Sequence, residues 1–562
     1  MYILGISGWF DRRHDAAASL IKDGKLIAAA EEERFTRRKH SYDTLPYNAI
    51  GFCLKKERIS VDDLDYVAIY WNFPHHYKIR NFKWKFNEKK MIDIIFPKIY
   101  FNYKKHPKIK YINHHLSHAS SAFRCSGFKK SLILVIDGQG EEYATTLWYG
   151  NGNKIEFIKG WGTKDSLGYF YETVSEYVGL EASEPGKLMG LAAYGKPSYS
   201  KKFFTISKNG YASHISKIIS RRLDEEIETR KKWKTFLRNN IVKERKIPLT
   251  FNKNISSFVK PSLNFDKKMR NLASSAQSAI EEIILHLIRL GVEKTNCKKL
   301  CISGGVALNS LANKSILRSE IVENIFIQPA SNDAGCSIGS ALELYASLGY
   351  KSKIKLDNAY YGPKFSNDEI LETIKKFGLS YEYYDDISGV AAELVSKNKI
   401  IGWFHGKMEL GPRALGNRSI LANPSNPKMK NILNKKIKFR EWFRPFAPTI
   451  LYSGKDEYLE HANYSPFMLF VFDVKKDKRK EVPAIVHVDG TTRPQILKKN
   501  INPKYYKLIK NIEKEISIPV VLNTSFNVKG EPIVCTPRDA IRTFYSSGLD
   551  YLVMNNYLIK KR

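Results

Sequence analysis

The chain has 562 residues, with 92 Lys+Arg against 57 Asp+Glu and a formal charge of +35. At about 100–200 residues per domain this predicts three or four structural units. The hydrophobic fraction of 43% and charged fraction of 27% exclude a disordered tail, a collagen-like rod and a disulfide-stapled mini-protein. A field this positive attracts anions: nucleic acid, anionic lipid or phosphorylated small molecules. The first ten residues are too short an apolar run, with no basic region before them, for a signal peptide. No stretch approaches the ~18 apolar residues of a membrane span. Cys53, Cys125, Cys297, Cys301, Cys336 and Cys535 form no disulfide framework, which favours reduced, buried thiols in a cytoplasmic protein.

In chain order, Tyr2–Ile6 alternates like a strand and leads into a polar loop with His14 and Asp15. Ala16–Ile21 and Lys25–Ala30 then read as a hairpin turning at Asp23-Gly24. The pattern recurs about 130 residues later. Ser131–Ile136 is a buried strand ending at Asp137-Gly138, and Tyr143–Tyr149 and Lys154–Phe157 are a hairpin turning at Asn151-Gly152. Such a duplication is how the two lobes of the actin/hexokinase-like architecture are built. Lys299–Ser303, followed by Gly304-Gly305 and a helix through Asn309, suits either a phosphate-approaching turn or a tight strand–helix connection. Asp333 falls in a small-residue loop before a helix over Cys336–Leu342. A boundary near residue 350 divides an N-terminal domain, 1–350, from a second, 351–562. Residues 76–110 carry eleven Lys/Arg against Glu88 and Asp93; a solvated helical face with an apolar side in the core is favoured there over a nucleic-acid surface. Residues 198–268 read as a basic helical insertion.

Several clusters could carry chemistry. His114 and His118 stand four apart, so one helix face would point both imidazoles at one metal ion. A capped helix start with surface histidines fits equally well. With Asp137 and Asp333 they make a mixed nitrogen and oxygen set suited to iron(II), manganese or zinc, and no cysteine pattern competes for it. An Asx turn is the plain alternative for Asp137. His14 is a candidate general base; Lys39, in Glu33-Arg34-Phe35-Thr36-Arg37-Arg38-Lys39-His40, could hold phosphate oxygens or form a charged surface turn.

Beyond residue 351, Gly411-Pro412-Arg413-Ala414-Leu415-Gly416-Asn417-Arg418-Ser419 is the sharpest run. Lys438, Arg440, Arg444, Arg493, Asn523 and Ser525 follow. Arginine forks match phosphates and lysine adds a point charge, as a nucleotide and phosphate pocket needs. Surface salt bridges are the alternative, disfavoured by the Pro and Gly that fix these arginines.

These motifs, with Gly186-Lys187-Leu188-Met189-Gly190-Leu191-Ala192, Gly304–Asn309, Arg444–Pro448 and Asn523–Asn527, resemble the nodulation-protein and antibiotic O-carbamoyltransferases over nearly the whole chain. The resemblance implies an α/β chain with a duplicated actin/hexokinase-like (TsaD-like) N-terminal domain and an α+β YrdC-like C-terminal domain. It implies carbamoyl-adenylate formation from carbamoyl phosphate and ATP, then internal transfer to a hydroxyl of a small acceptor such as a sugar. His114, His118, Asp137 and Asp333 would hold Fe(2+) or another divalent metal. His14 and Lys39 would serve transfer. Arg413, Arg418, Lys438, Arg444, Arg493, Asn523, Ser525, Gly304, Gly305 and Asn309 would bind the nucleotide, with Mg(2+) accompanying ATP. No membrane or nucleic-acid partner is implied; a homodimer is compatible. Lys407 and Phe439 depart from the common family pattern, with Lys407 losing an arginine fork. The competing readings are a tRNA threonylcarbamoyl-type enzyme, an actin-like small-molecule kinase and a non-catalytic nucleic-acid binder.

Overall fold

The computed structural model describes residues 1–10, 13–181, 184–216, 224–243, 250–252, 257–259, 265–352 and 354–561. The first sheet contains β1 (Tyr2–Ser7), β2 (Ala17–Lys22), β3 (Lys25–Glu31), β4 (Tyr66–Ile69) and β5 (Lys108–Tyr111), ordered β3-β2-β1-β4-β5. The second contains β6 (Lys130–Ile136), β7 (Thr145–Asn151), β8 (Lys154–Trp161), β9 (Lys299–Ser303) and β10 (Asn324–Ile327), ordered β8-β7-β6-β9-β10. In each sheet the first three strands are antiparallel neighbours and the last two run parallel to the first. Even the register irregularity recurs, within β2 and within β7. The two sheets are thus one topology used twice. Their strands read as near-continuous apolar runs because both faces are covered: Ile3 joins one core and Leu4 and Ile6 another.

A third, mixed sheet is built from β11 (Glu382–Tyr383), β12 (Ile401–Phe404), β13 (Arg418–Ala422), β14 (Ala447–Leu451), β15 (Gln495–Leu497), β16 (Val520–Ser525), β17 (Tyr551–Met554) and β18 (Tyr557–Lys560). Its order is β11-β18-β17-β12-β13-β16-β14-β15. Alternate residues again serve opposite cores: Ile401 and Trp403 pack with the helices Ile387–Ser396 and Pro503–Ile516, and Phe404 packs with Pro537–Tyr545. The whole is a mixed α/β fold. Residues 354–363 are laced to both sides, with Leu356 N–H donating to Cys125 O and Leu410 N–H to Ala359 O, both at 2.8 Å.

Several expectations shift. Asp333 does not sit in a loop: it opens the helix Asp333–Ser347. Asn523 and Ser525 lie within β16. Tyr143 is taken by a turn with Gly140, so β7 begins at Thr145. In the 198–268 insertion the helix Glu225–Asn240 buries Thr229, Trp233 and Leu237 along one stripe, but a hairpin, Phe204–Ser207 with Gly210–Ser213, and the paired strands Thr250–Asn252 and Ser257–Val259 accompany it. Its residues 217–223, 244–249, 253–256 and 260–264 lie outside the described residues. In 76–110 all ten lysines are exposed, while Met91, Ile92, Ile95 and Phe96 are fully buried. Arg80 is the exception: it is buried, bonded to Glu141 O at 2.8 Å and paired with Glu225 at 3.0 Å.

Two glycines set how closely elements approach. Gly304 has φ +91°, and a Cβ there would lie 2.2 Å from Ile136 O. Gly339 lies where Asp333–Ser347 crosses the helix His114–Ser126, and a Cβ would lie 1.8 Å from Ser117 O. Backbone cannot yield as a side-chain tip can. Gly339→Ala is therefore expected to cost at least about 1–3 kcal/mol, read as a lowered urea midpoint with an unchanged slope.

Candidate functional site

The helix His114–Ser126 starts at Asn113, whose side chain accepts the Leu116 N–H at 3.0 Å. Buried Glu141 takes the His114 N–H at 3.0 Å, the Asn72 N–H at 2.7 Å and the Asn113 amide at 2.8 Å. This carboxylate satisfies donors that a helix start leaves open. His114 and His118 then fall on one face, and both are fully buried. Asp137 follows the end of β6, and Asp333 is at the start of its helix. One donor atom from each of His114, His118, Asp137 and Asp333 lies within 4.8 Å of all the others. His114 Nε2 is 3.1 Å from Asp137 and 3.7 Å from Asp333; His118 Nε2 is 3.5 and 3.6 Å from the same carboxylates. His118 Nδ1 is 3.1 Å from Ser303 Oγ, which orients the ring and leaves Nε2 buried without a hydrogen-bond partner. The Gly305 N–H donates to the second oxygen of Asp137 at 3.0 Å. An orphaned imidazole nitrogen facing two carboxylates fits a divalent cation. Burial would raise the Asp137 carboxyl, but the His114 hydrogen bond and the facing His118 imidazole outweigh it and hold it well below the usual range.

Asp15 sits between two imidazoles, 3.0 Å from His14 Nδ1 and 2.9 Å from His40 Nδ1. Burial would lower the His14 pKa, but Asp15, then Asp333 and Asp137, push it up to about 10. A cation between Asp137 and Asp333 would cancel part of that pull. Lys39 does not point at free space: its ammonium pairs with Glu184. Glu184 also holds Lys187 at 2.5 Å, Lys187 reaches Glu441 at 3.3 Å, and Glu441 faces Arg444 at 3.6 Å. This chain of ion pairs joins the N-terminal half of the polypeptide to the segment before β14.

The second cluster is cationic. Among the described residues Arg413 and Arg493 have no carboxylate within ion-pair distance, and buried Arg413 Nε has no partner. Burial, then Arg444, lowers Arg413 to about 10; burial, then Arg413, Arg440 and Arg444, holds Arg493 well below its ordinary value. Arg440 is fixed by Asn434 at 2.8 Å and stacks on Phe446 at 4.3 Å. Asn523 donates to Thr449 Oγ1 at 3.0 Å, and its own oxygen is buried without a donor.

Some expected binding residues do other work. Arg418 is fully buried, donates to His405 O at 2.8 Å and Pro363 O at 3.2 Å, and covers the Phe404 ring at 3.7 Å. It fixes loops rather than lining the cavity. Lys438 donates to Asn527 Oδ1 at 2.8 Å and Asn527 O at 3.0 Å, anchoring the Ser525–Asn527 turn beside the cavity wall. Asn309 caps the next helix through Ala312 N–H at 3.1 Å and exchanges two 3.0 Å bonds with Gln277. Gly304 supplies the turn, and Gly305 supports Asp137. Lys407 and Phe439 are exposed and away from the wall.

One cavity of about 1160 Å³ connects both clusters. Asp15, Glu31, Glu33, Asp137, Glu172 and Asp333 line it in one group, and Arg413, Lys430, Lys438, Arg440, Arg444 and Arg493 in the other. Arg13, His14, Lys39, Gly305, Asn309, Asn523 and Ser525 also reach its wall. Glu172, pushed up to about 7 by burial against the pull of Arg230, was not predicted; it sits mid-helix with no motif around it. His40 and Glu184 were also missed as site residues, though His40 closes the basic motif after β3.

Residues 2–89 and 72–342 match the family model "Carbamoyltransferase N-terminus", and residues 392–561 match "Carbamoyltransferase C-terminus". The chain is 36% identical to "Nodulation protein NolNO" of Sinorhizobium fredii, covering 100% of this chain and 83% of that protein. It is 35% identical to an uncharacterized protein of Methanocaldococcus jannaschii, covering 98% of each, and 27% identical to "Nodulation protein U" of Sinorhizobium fredii, covering 92% of each. The chain belongs to the carbamoyltransferase family and is an enzyme that transfers carbamoyl groups. No helix among the described residues is long and apolar enough to cross a membrane.

Asp15→Asn removes the chief group that raises His14. The His14 titration, followed by imidazole NMR, is expected to move from about 10 toward the ordinary 6.5.

Proposed function

We propose that this carbamoyltransferase activates and transfers the carbamoyl group within one cavity. Residues 1–350 form the transfer domain, an actin/hexokinase-like (TsaD-like) pair of lobes, supported by the strand order used twice. Residues 351–562 form a YrdC-like activating domain. The observation that carries the reading is the single cavity joining an arginine cluster, with too few carboxylates to match it, to a cluster of imidazoles and carboxylates.

In the activating half, Arg413, Arg440, Arg444 and Arg493 take ATP and carbamoyl phosphate, with Mg(2+) accompanying ATP. Bound phosphates relieve the mutual repulsion that, after burial, lowers the pKa values of Arg413, Arg440 and Arg493. One water hydrolyses carbamoyl phosphate to carbamate and phosphate, and a carbamate oxygen then attacks the α-phosphorus of ATP and displaces pyrophosphate. The carbamoyl-adenylate stays in the cavity, shielded from bulk water. Asn523 and the turn anchored by Lys438 hold the adenylate. In the transfer half, an acceptor hydroxyl, on a sugar or glycosylated metabolite, attacks the carbamoyl carbon while His14, oriented through Nδ1 by Asp15, takes its proton at Nε2, and AMP leaves. His114, His118, Asp137 and Asp333 would hold iron(II) or another divalent cation, which when bound supplies Lewis acidity.

With ATP, carbamoyl phosphate and a hydroxylated acceptor, the expected products are AMP, pyrophosphate, phosphate and the carbamoylated acceptor. ADP with a phosphorylated acceptor would refute this reading in favour of a kinase. Separating the half-reactions tests the assignment further. Arg493→Ala is expected to slow carbamate-dependent pyrophosphate exchange by about 100-fold or more. His118→Ala is expected to leave that exchange intact while abolishing transfer and depleting bound metal, read by elemental analysis.

A further inference from the structure

The sequence offers no cysteine spacing near the histidine pair, yet the fold brings one there. Cys336 lies three residues after Asp333 on the helix Asp333–Ser347, so both side chains share a face. At Gly339, one turn further on, that helix meets the backbone of Ser117, between His114 and His118. The close crossing puts the Cys336 sulfur beside the imidazoles: one nitrogen of each of His114 and His118 and the Cys336 Sγ all lie within 4.8 Å of one another. Cys336 is fully buried and in no disulfide. His118 Nε2, equally buried, has no hydrogen-bond partner.

We propose that the metal centre holds two overlapping donor sets that share His114 and His118. One is hard, completed by Asp137 and Asp333 at the cavity wall; the other is soft, completed by Cys336 beneath it. Thiolate and imidazole together favour Zn(2+), Co(2+) and Cd(2+), whereas carboxylates favour Mn(2+) and similar hard ions. When a soft cation enters, the sulfur–metal bond forms as the S–H bond is lost, and the proton leaves to solvent. Cys336 therefore decides which cations the centre accepts. This rests on the metal-centre assignment above, and the experiment separates the two.

The test loads metal-free full-length enzyme with one equivalent of Co(2+), with occupancy measured by elemental analysis. The expected result is a near-ultraviolet thiolate-to-cobalt charge-transfer band in the wild type and none in Cys336→Ser at equal occupancy. In competition between Zn(2+) and Mn(2+), C336S is expected to lose zinc preference by at least ~10-fold, the loss that removing even an outer partner of a ligand produces. Bound cobalt without the band overturns the Cys336 proposal and leaves the metal centre standing. Failure to bind any divalent ion overturns both. The wild-type spectrum needs no variant to fold; a folded C336S with an unchanged zinc-to-manganese ratio also overturns the proposal.

Discussion

Two helices meet backbone to backbone where Gly339 passes Ser117, and the acidic half of the cavity depends on that contact. The helix His114–Ser126 brings two imidazoles to the crossing. Asp333–Ser347 brings a carboxylate and a thiol. The second sheet supplies Asp137 from just beyond the end of β6, and Gly304 keeps β9 close enough for Gly305 to bond it. Any side chain at residue 339 would part the helices and lengthen every donor distance at once. The imidazole and carboxylate positions thus rest on helix packing more than on loop conformation, which suits a site that must keep its geometry while ligands come and go.

The second constraint is electrostatic. Four arginines, Arg413, Arg440, Arg444 and Arg493, are brought together with too few carboxylates to match them, while carboxylates collect around His14 and His118. Like charges gathered in this way oppose folding. The ion-pair chain Lys39–Glu184–Lys187–Glu441–Arg444 runs between the two groups and ties the β3 region to the segment before β14. It fixes the relative position of the clusters and engages Arg444, while Arg413 and Arg493 have no carboxylate partner among the described residues.

Local signals made much of this readable. The β1–β3 and β6–β8 hairpins carry Asp-Gly and Asn-Gly turns, and the repeated loop after the first strand exposed the duplication. The i,i+4 histidines announced their shared face. What stayed hidden depends on tertiary packing or on exact register. Asp333 reads as a loop residue because Ser331, Asn332 and Gly335 are turn formers, and with the helix start misplaced Cys336 has no face. Arg418 sits in a phosphate-like motif, but its surroundings are buried loop carbonyls that need a donor, and they claim it. Lys438 is claimed by the Ser525–Asn527 turn in the same way. Glu172 reaches the cavity only through the packing of its helix, which no local pattern shows. The basic stretch 76–110 reads correctly as a solvated face since its apolar positions keep helical spacing.

The single cavity also has a kinetic meaning. One molecule confined to about 1160 Å³ is at an effective concentration on the order of 1 M. Bulk water stands only a few tens of times above that and enters through a lined opening, whereas an acceptor held in the same space meets the intermediate at once. On the proposed route, a reactive species made beside the arginines would face a contest between escape and capture that geometry tilts toward capture, with no need for tight binding of the intermediate itself.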